Sequence, residues 1–350
     1  MIRVLIVDDS LTVRRILTRE LGRFDDIEVI GSAEDAYGAR EMIAERRPDV
    51  VTLDLEMPRM GGLAFLEKLM AHYPLPVVVV SALTPENSEM ALRAFHLGAV
   101  EVVSKPGPGD SAPDVRRRLV RAVRAAASAR VRAPDTRIAT APTDWHPGAA
   151  HRIVAIGAST GGTRAIEDLL SALPADVPGI VIAQHLPAAF TQSFARRLDS
   201  RTALTVREAG DGDTVTPGLA LVAPGGRHML VEREGDQLRV HFEDRGDRIY
   251  CPSIDVLLAS VAAAAGAEAV GVLLTGMGAD GARGLLAMRS HGAFTVAEAR
   301  ETCVVWGMPR AAAHLGAATE IAPLYRIPEV LLEEIGRPHC APVPDDAADP

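Results

Sequence analysis

Short apolar runs alternate with stretches whose apolar residues recur every three to four positions along nearly the whole chain. Over the first 125 residues the runs fall at 4–7, 28–30, 50–53, 77–80 and 100–103, and helical spacing fills 11–21, 35–46, 62–72, 85–97 and 112–129. Near-continuous apolar strands separated by helices predict a five-stranded parallel sheet covered on both faces. From 151 to about 335 the alternation resumes with longer loops. A strand at 153–156 runs into a turn of small residues that presents Ser159, and a helix pattern follows at 163–173. A second strand at 179–183 ends in Gln184, His185, Leu186 and Pro187, and GVLLTGMGADGARG at 271–284 repeats the plan of strand, glycine-rich turn and helix. A doubly wound α/β unit with a mostly parallel sheet is expected here.

The pattern divides the chain into 1–125, a joint over 126–150, a second unit over 151–335 and a tail over 336–350. The joint starts with an arginine- and alanine-rich helix end and passes into proline, threonine and aspartate, as a linker does. Its arginines read as a solvated helix face, with an acidic partner or nucleic acid as the alternative. The tail, rich in proline and aspartate from 342 onward, is expected to be disordered.

Composition narrows the function classes. A net charge of −9 on 350 residues argues against a nucleic-acid coat, and no apolar run reaches the ~18 residues of a membrane span. No leader is visible, since the first residues enter a strand at once. Cys251, Cys303 and Cys340 have neither metal-ligand nor disulfide spacing, so a cytoplasmic location is expected.

In parallel sheets the chemistry gathers at the carboxyl ends of the strands. In the first half those ends carry Asp8 and Asp9, Asp54, Ser81 and Lys105. Carboxylates drawn together repel unless a hard cation joins them, and a lysine and a hydroxyl beside them suit a phosphoryl group on one carboxylate. Taken singly, Asp8 and Asp9 would cap a helix and Asp54 would open a turn.

VDDS at 7–10, DLEMPRMGG at 54–62, Ser81 with Ala82, and Lys105 with Pro106 together resemble the receiver domain of two-component response regulators. The resemblance implies a flavodoxin-like fold in which Asp54 accepts a phosphoryl group from a histidine kinase. Asp9, Asp54 and the Glu56 backbone carbonyl hold Mg²⁺ in such a domain, Asp8 assists through water, and Ser81 and Lys105 contact the phosphoryl oxygens. The position three before the lysine, often aromatic in receivers, is Val102, so an aromatic rotamer switch is not implied.

In the second half Ser159, His185 and Asp280 each stand just beyond an apolar run, at loops that a parallel sheet brings to one edge. A nucleophile, a general base and an orienting carboxylate need that convergence. The serine turn is also compatible with a phosphate cradle at a helix start, although GASTGG lacks the G-x-G opening of a dinucleotide site. Each residue has a plainer reading too: Ser159 as a helix N-cap, His185 as a loop histidine, Asp280 as a cap of the helix that follows it. The α/β-hydrolase order of serine, acid, histidine does not match the order here.

IGASTGGT at 156–163, QHLP at 184–187, APGGRHM at 223–229, PSIDVLL at 252–258 and LLTGMGADGARGL at 273–285 resemble the chemotaxis protein-glutamate methylesterase and glutaminase family. That resemblance implies Ser159 as nucleophile, His185 as base and Asp280 as orienting carboxylate. The Met277 N–H and a loop amide near Thr160 then form the oxyanion hole. It also implies methyl-accepting chemotaxis receptors as substrate, a chemotaxis histidine kinase as phosphodonor, and no metal for the hydrolysis. His228 and Asp255 are expected to support the loops. The alternative is a response regulator whose second half only binds.

Overall fold

The computed structural model describes residues 1–82, 84–105, 112–130, 152–244, 246 and 250–337. Most of the expected linker and tail, together with Pro106, His151 and Cys340, lie outside them.

The N-terminal unit runs β1 (Ile2–Val7), α1 (Leu11–Leu21), β2 (Ile27–Ala33), α2 (Ala36–Arg46), β3 (Val50–Asp54), α3 (Gly62–His72), β4 (Val77–Ser81), α4 (Pro85–His96), β5 (Glu101–Ser104) and α5 (Ala112–Ser128). Its five strands pair in parallel in the order β2-β1-β3-β4-β5. Successive side chains of one strand point to opposite faces, so both faces need cover. Leu5 and Val7 join the cluster under α2 and α3, with Ala39, Ile43, Phe65 and Leu66. Val4 and Ile6 join the opposite cluster with Leu17, Leu21, Leu119 and Val123 of α1 and α5. This two-sided burial is why the strands read as unbroken apolar runs.

The C-terminal unit runs β6 (Ile153–Ala158), α6 (Gly162–Ser171), β7 (Gly179–Gln184), α7 (Ala188–Asp199), β8 (Thr205–Glu208), β9 (Leu219–Val222), β10 (Arg227–Glu234), β11 (Gln237–Asp244), α8 (Ile254–Ala265), β12 (Ala269–Leu273), α9 (Ala282–Ser290), β13 (Phe294–Glu298), α10 (Met308–His314), β14 (Glu320–Ala322) and α11 (Ile327–Ile335). Seven of its strands form one sheet, β14-β13-β12-β6-β7-β9-β8, with every described pairing parallel. Strands β10 and β11 form a separate antiparallel hairpin that packs on α8.

The strand order turns back beside the first strand of each unit, between β1 and β3 in the first sheet and between β6 and β12 in the second, where β9 is also inserted between β7 and β8. Such a reversal opens a crevice beyond the strand ends, because the flanking helices depart to opposite faces. The two units meet where α4 packs against α6 and α7. There the Ser88 hydroxyl donates to the Ala189 carbonyl at 2.9 Å; beyond the end of α5 the Arg130 N–H donates to the Val304 carbonyl, between β13 and α10, at 2.9 Å.

Candidate active site

The crevice of the second sheet brings three loops together. The β6 loop carries Ser159, the neighbouring β7 ends at Gln184 just before His185, and β12 on the other side of β6 leads to Thr275, Met277 and Asp280. Small residues permit the approach. A Cβ on Gly276 would fall 2.7 Å from the Ser159 Cβ and 2.3 Å from the Met308 Sδ. Gly161 has φ +79°, and a Cβ there would meet Val304 at 2.6 Å, so a side chain is excluded by both conformation and space.

His185 Nδ1 lies 3.0 Å from Ser159 Oγ, and its Nε2 lies 2.9 Å from Asp280 Oδ2. The ring is used in the reverse sense to chymotrypsin-type triads, in which Nε2 faces the serine. Either sense leaves one nitrogen to accept the hydroxyl proton while the other donates to the carboxylate. All three residues are buried. Asp280 also accepts the Ser253 hydroxyl at 3.0 Å and the N–H groups of Ile254 and Asp255 at 2.8 and 3.1 Å. Burial pushes this carboxyl up, but the hydrogen bond and charge of His185 and the N–H donors outweigh it and hold it below the usual range.

The capping readings of Ser159 and Asp280 fail on geometry. The N-cap of α6 is Gly161, with no side-chain cap bond. Asp280 caps α8, 26 residues before it in the chain, rather than the helix that follows it. His228 and Asp255 brace the loops: His228 Nδ1 accepts the Ser253 N–H at 3.0 Å, and Asp255 Oδ1 accepts the Gly284 N–H at 2.8 Å.

The serine loop is held from behind. Ser159 donates its N–H to the Thr275 carbonyl at 3.0 Å, Gln184 Nε2 donates to the Ser159 carbonyl at 2.8 Å, and the Thr275 hydroxyl donates to the Thr160 carbonyl at 3.0 Å. Among the described residues the backbone N–H groups of Thr160 and Met277 donate to no protein acceptor. Behind Thr275 stands Glu298, fully buried, whose Oε2 accepts the Thr275 N–H at 2.8 Å. Burial pushes the Glu298 carboxyl up to about 7. The N-terminal unit reaches this site as well: Glu101 Oε2 of β5 accepts the Thr160 hydroxyl at 2.7 Å.

The crevice of the first sheet is acidic. Asp8, Asp9 and Asp54 each offer an oxygen within 4.8 Å of the others. Lys105 Nζ lies 2.6 Å from Asp54 Oδ2 and 3.2 Å from Asp8 Oδ2. Burial raises the carboxyls of Asp8 and Asp54 despite that lysine. Burial works against the Lys105 ammonium, and its bonds and charge contacts with Asp54 and Asp8 raise it nonetheless. Helix capping is not the task of these aspartates, since the N-cap of α1 is Ser10. Asp54 Oδ1 does accept the Glu56 N–H at 3.2 Å, closing a local turn. Ser81 is buried at the end of β4. The hard oxygen donors and the partly compensated charge make a cluster able to hold a metal ion.

Sequence reasoning attached no role to Gln184 and missed Glu101, Tyr250, Ser253 and Glu298. The acids carried a signal, because Glu101 opens the run EVVS and Glu298 closes FTVAE, both otherwise apolar or small. Contacts between loops distant in sequence carried none.

Residues 154–331 match the family model of the CheB methylesterase, and residues 4–112 match that of the response regulator receiver domain. The chain belongs to the CheB methylesterase family. A family member from Anaeromyxobacter dehalogenans, named protein-glutamate methylesterase/protein-glutamine glutaminase 4, is 52% identical over 342 residues, 94% of each chain. One from Syntrophus aciditrophicus, named protein-glutamate methylesterase/protein-glutamine glutaminase 2, is 46% identical over 346 residues, covering 95% of this chain and 99% of that relative. The crystal structure of the Thermotoga maritima CheB methylesterase catalytic domain covers 52% of this chain and 98% of its own, at 40% identity and a TM-score of 0.51. Among the described residues of this family member, no helix is long and apolar enough to cross a membrane.

Proposed function

We propose that this chain is a cytoplasmic, phosphorylation-activated serine hydrolase that removes methyl groups from γ-glutamyl methyl esters of chemotaxis receptors and deamidates particular glutamines on them. The observation that carries the reading is the hydrogen-bonded line from Ser159 Oγ through His185 to Asp280, with spacings of 3.0 and 2.9 Å. The relatives' names supply the substrate class, and an output unit that only binds has no use for this line.

In this reading His185 Nδ1 takes the proton of Ser159 as Oγ attacks the ester carbonyl carbon. The free N–H groups of Met277 and Thr160 receive the oxyanion; loss of one such donor commonly costs about 3 kcal/mol in the barrier. His185 then returns the proton to the departing methanol, or to ammonia when the substrate is an amide. Water attacks the acyl-serine with the same nitrogen as base. Asp280 fixes the tautomer and stabilises the protonated ring.

Control comes from the other crevice. Asp54 accepts a phosphoryl group from a histidine kinase, with Ser81 and Lys105 contacting its oxygens. Asp8, Asp9, Asp54 and the Glu56 carbonyl are the residues that would hold Mg²⁺, which supplies neutralisation of the carboxylate and phosphoryl charge. In the unphosphorylated chain Glu101 holds Thr160, the neighbour of Ser159, and phosphorylation loosens that contact.

The test is methanol release from methylated receptor membranes by wild type and by Ser159→Ala, each with and without a small phosphodonor. Wild-type release should rise with phosphodonor and fall by at least about 10⁴-fold in the variant. Release that survives Ser159→Ala would overturn the assignment.

A further inference from the structure

Hydrogen bonds to an imidazole lie in the plane of the ring. In His185 both nitrogens are used in that way, by Ser159 and Asp280. Such bonds set the separation of the three groups but restrain tilting of the ring poorly, because small out-of-plane rotations change the donor–acceptor distances only to second order. The face of the ring has to be held by something else.

The structure supplies a flat partner. The ring of Tyr250 lies parallel to the His185 ring, with 4.4 Å between centroids and 1° between planes. Tyr250 stands between the β10–β11 hairpin and α8, three residues before Ser253, whose hydroxyl donates to Asp280. The segment that carries the stacked ring therefore also carries a partner of the triad carboxylate. A Cβ added to Gly278 would lie 3.2 Å from the Tyr250 hydroxyl, so the far end of the phenol borders the loop that offers the Met277 N–H. The Arg121 guanidinium of α5 lies over the same ring, its Cζ 5.2 Å from the centroid.

We propose that Tyr250 is a positioning residue for the hydrolysis, its ring holding the His185 imidazole in the plane that serves both Ser159 and Asp280. This rests on the triad reading above. The stack has a second effect as the ring takes the serine proton. A cationic imidazolium is attracted to the electron-rich face of a phenol more strongly than a neutral imidazole is. The contact thus strengthens as the transition state forms, which places its effect in kcat rather than KM.

The experiment measures methanol release from methylated receptor membranes by the full chain under saturating phosphodonor, so that all variants are compared in the same state of phosphorylation. Receptor concentration is varied for wild type, Tyr250→Phe, Tyr250→Leu and Tyr250→Ala, and thermal melting verifies folding of each. Tyr250→Ala and Tyr250→Leu should lose about tenfold in kcat with KM within twofold. Tyr250→Phe, which keeps the flat face, should stay within threefold of wild type. Leucine fills space without a flat face, so full activity of Tyr250→Leu would reduce the residue to a filler and overturn the proposal. An equal loss in Tyr250→Phe and Tyr250→Ala would assign the effect to the hydroxyl, and a change in KM alone would make Tyr250 a substrate contact. Either outcome overturns the positioning role. Methanol release that disappears in Ser159→Ala while Tyr250→Ala stays fully active would sink this proposal and leave the triad standing.

Discussion

The two crevices occupy equivalent places, each beyond the strand ends where a parallel sheet reverses its order, yet they treat buried charge in opposite ways. In the C-terminal crevice Asp280 collects four donors, and its carboxyl is held below the usual range. In the N-terminal crevice Asp8 and Asp54 share one lysine, and burial leaves both above it. A carboxylate with its bonds complete is fixed before substrate arrives, which suits an orienting group. Carboxylates left short of positive charge respond to whatever brings it, which suits a site that is switched. Preorganisation and responsiveness thus differ by how many donors the fold assigns to each buried oxygen.

The contrast is open to attack from the catalytic side first. Replacing Asp280→Asn removes the charge and reverses one arm of the bonding, so kcat should fall by about 10⁴-fold. Melting should also drop by several degrees, because an amide nitrogen would face donors at the start of α8. Activity assays and calorimetry on one preparation measure both. Loss of activity without loss of stability would mean that the donors around Asp280 matter less to the fold than the geometry indicates.

A smaller effect is expected at Glu298, where the catalytic unit departs from its own rule. The Oε1 of this residue has no hydrogen-bond partner among the described residues. Its folded pKa of about 7 lies above the ordinary 4.5. The stability it contributes is therefore complete below about 4.5 and is lost as pH rises through about 7. Glu298→Gln does not titrate, so its advantage over wild type should grow from pH 5 to pH 8 and approach at most about 3 kcal/mol. Denaturant melts of the two chains across that range measure it, and parallel stability curves would show that Glu298 does not titrate there.

The smallest effect concerns the acidic crevice. Mg²⁺ at 100 times its dissociation constant should stabilise the wild-type chain by about 2.7 kcal/mol. Asp8→Asn should remove a large part of that gain and raise stability slightly in the absence of cation, because it takes one carboxyl out of a buried acidic cluster. An undiminished Mg²⁺ response in the variant would exclude Asp8 from the cluster.

Much of this layout was legible in the sequence because side-chain alternation and strand-end placement are local properties. Asp8, Asp54, Ser159, His185 and Asp280 each stand at the end of an apolar run or in the loop that leaves it, so parallel pairing brings each set to one sheet edge. The order of the seven-stranded sheet was not legible, since nothing local tells β6 that its neighbours are β7 and β12. The plainer capping reading of Asp280 fails for a tertiary reason: Asp280 precedes α9 by two residues, yet its oxygens turn to α8, whose first N–H groups are held next to it by the fold. The stacking of Tyr250 on His185 joins residues 65 positions apart, with no periodic signal in either segment.

In the proposed mechanism Asp280 has two duties, and they cannot be inherited separately. The oxygen that receives His185 Nε2 also receives the Ile254 N–H at the head of α8. A chain that loses this carboxylate loses a helix anchor together with its chemistry, and a weakened fold in a cell is drawn toward chaperones and proteases. If the proposed function holds, damage at this position clears the protein rather than leaving an inert copy that still accepts phosphoryl groups.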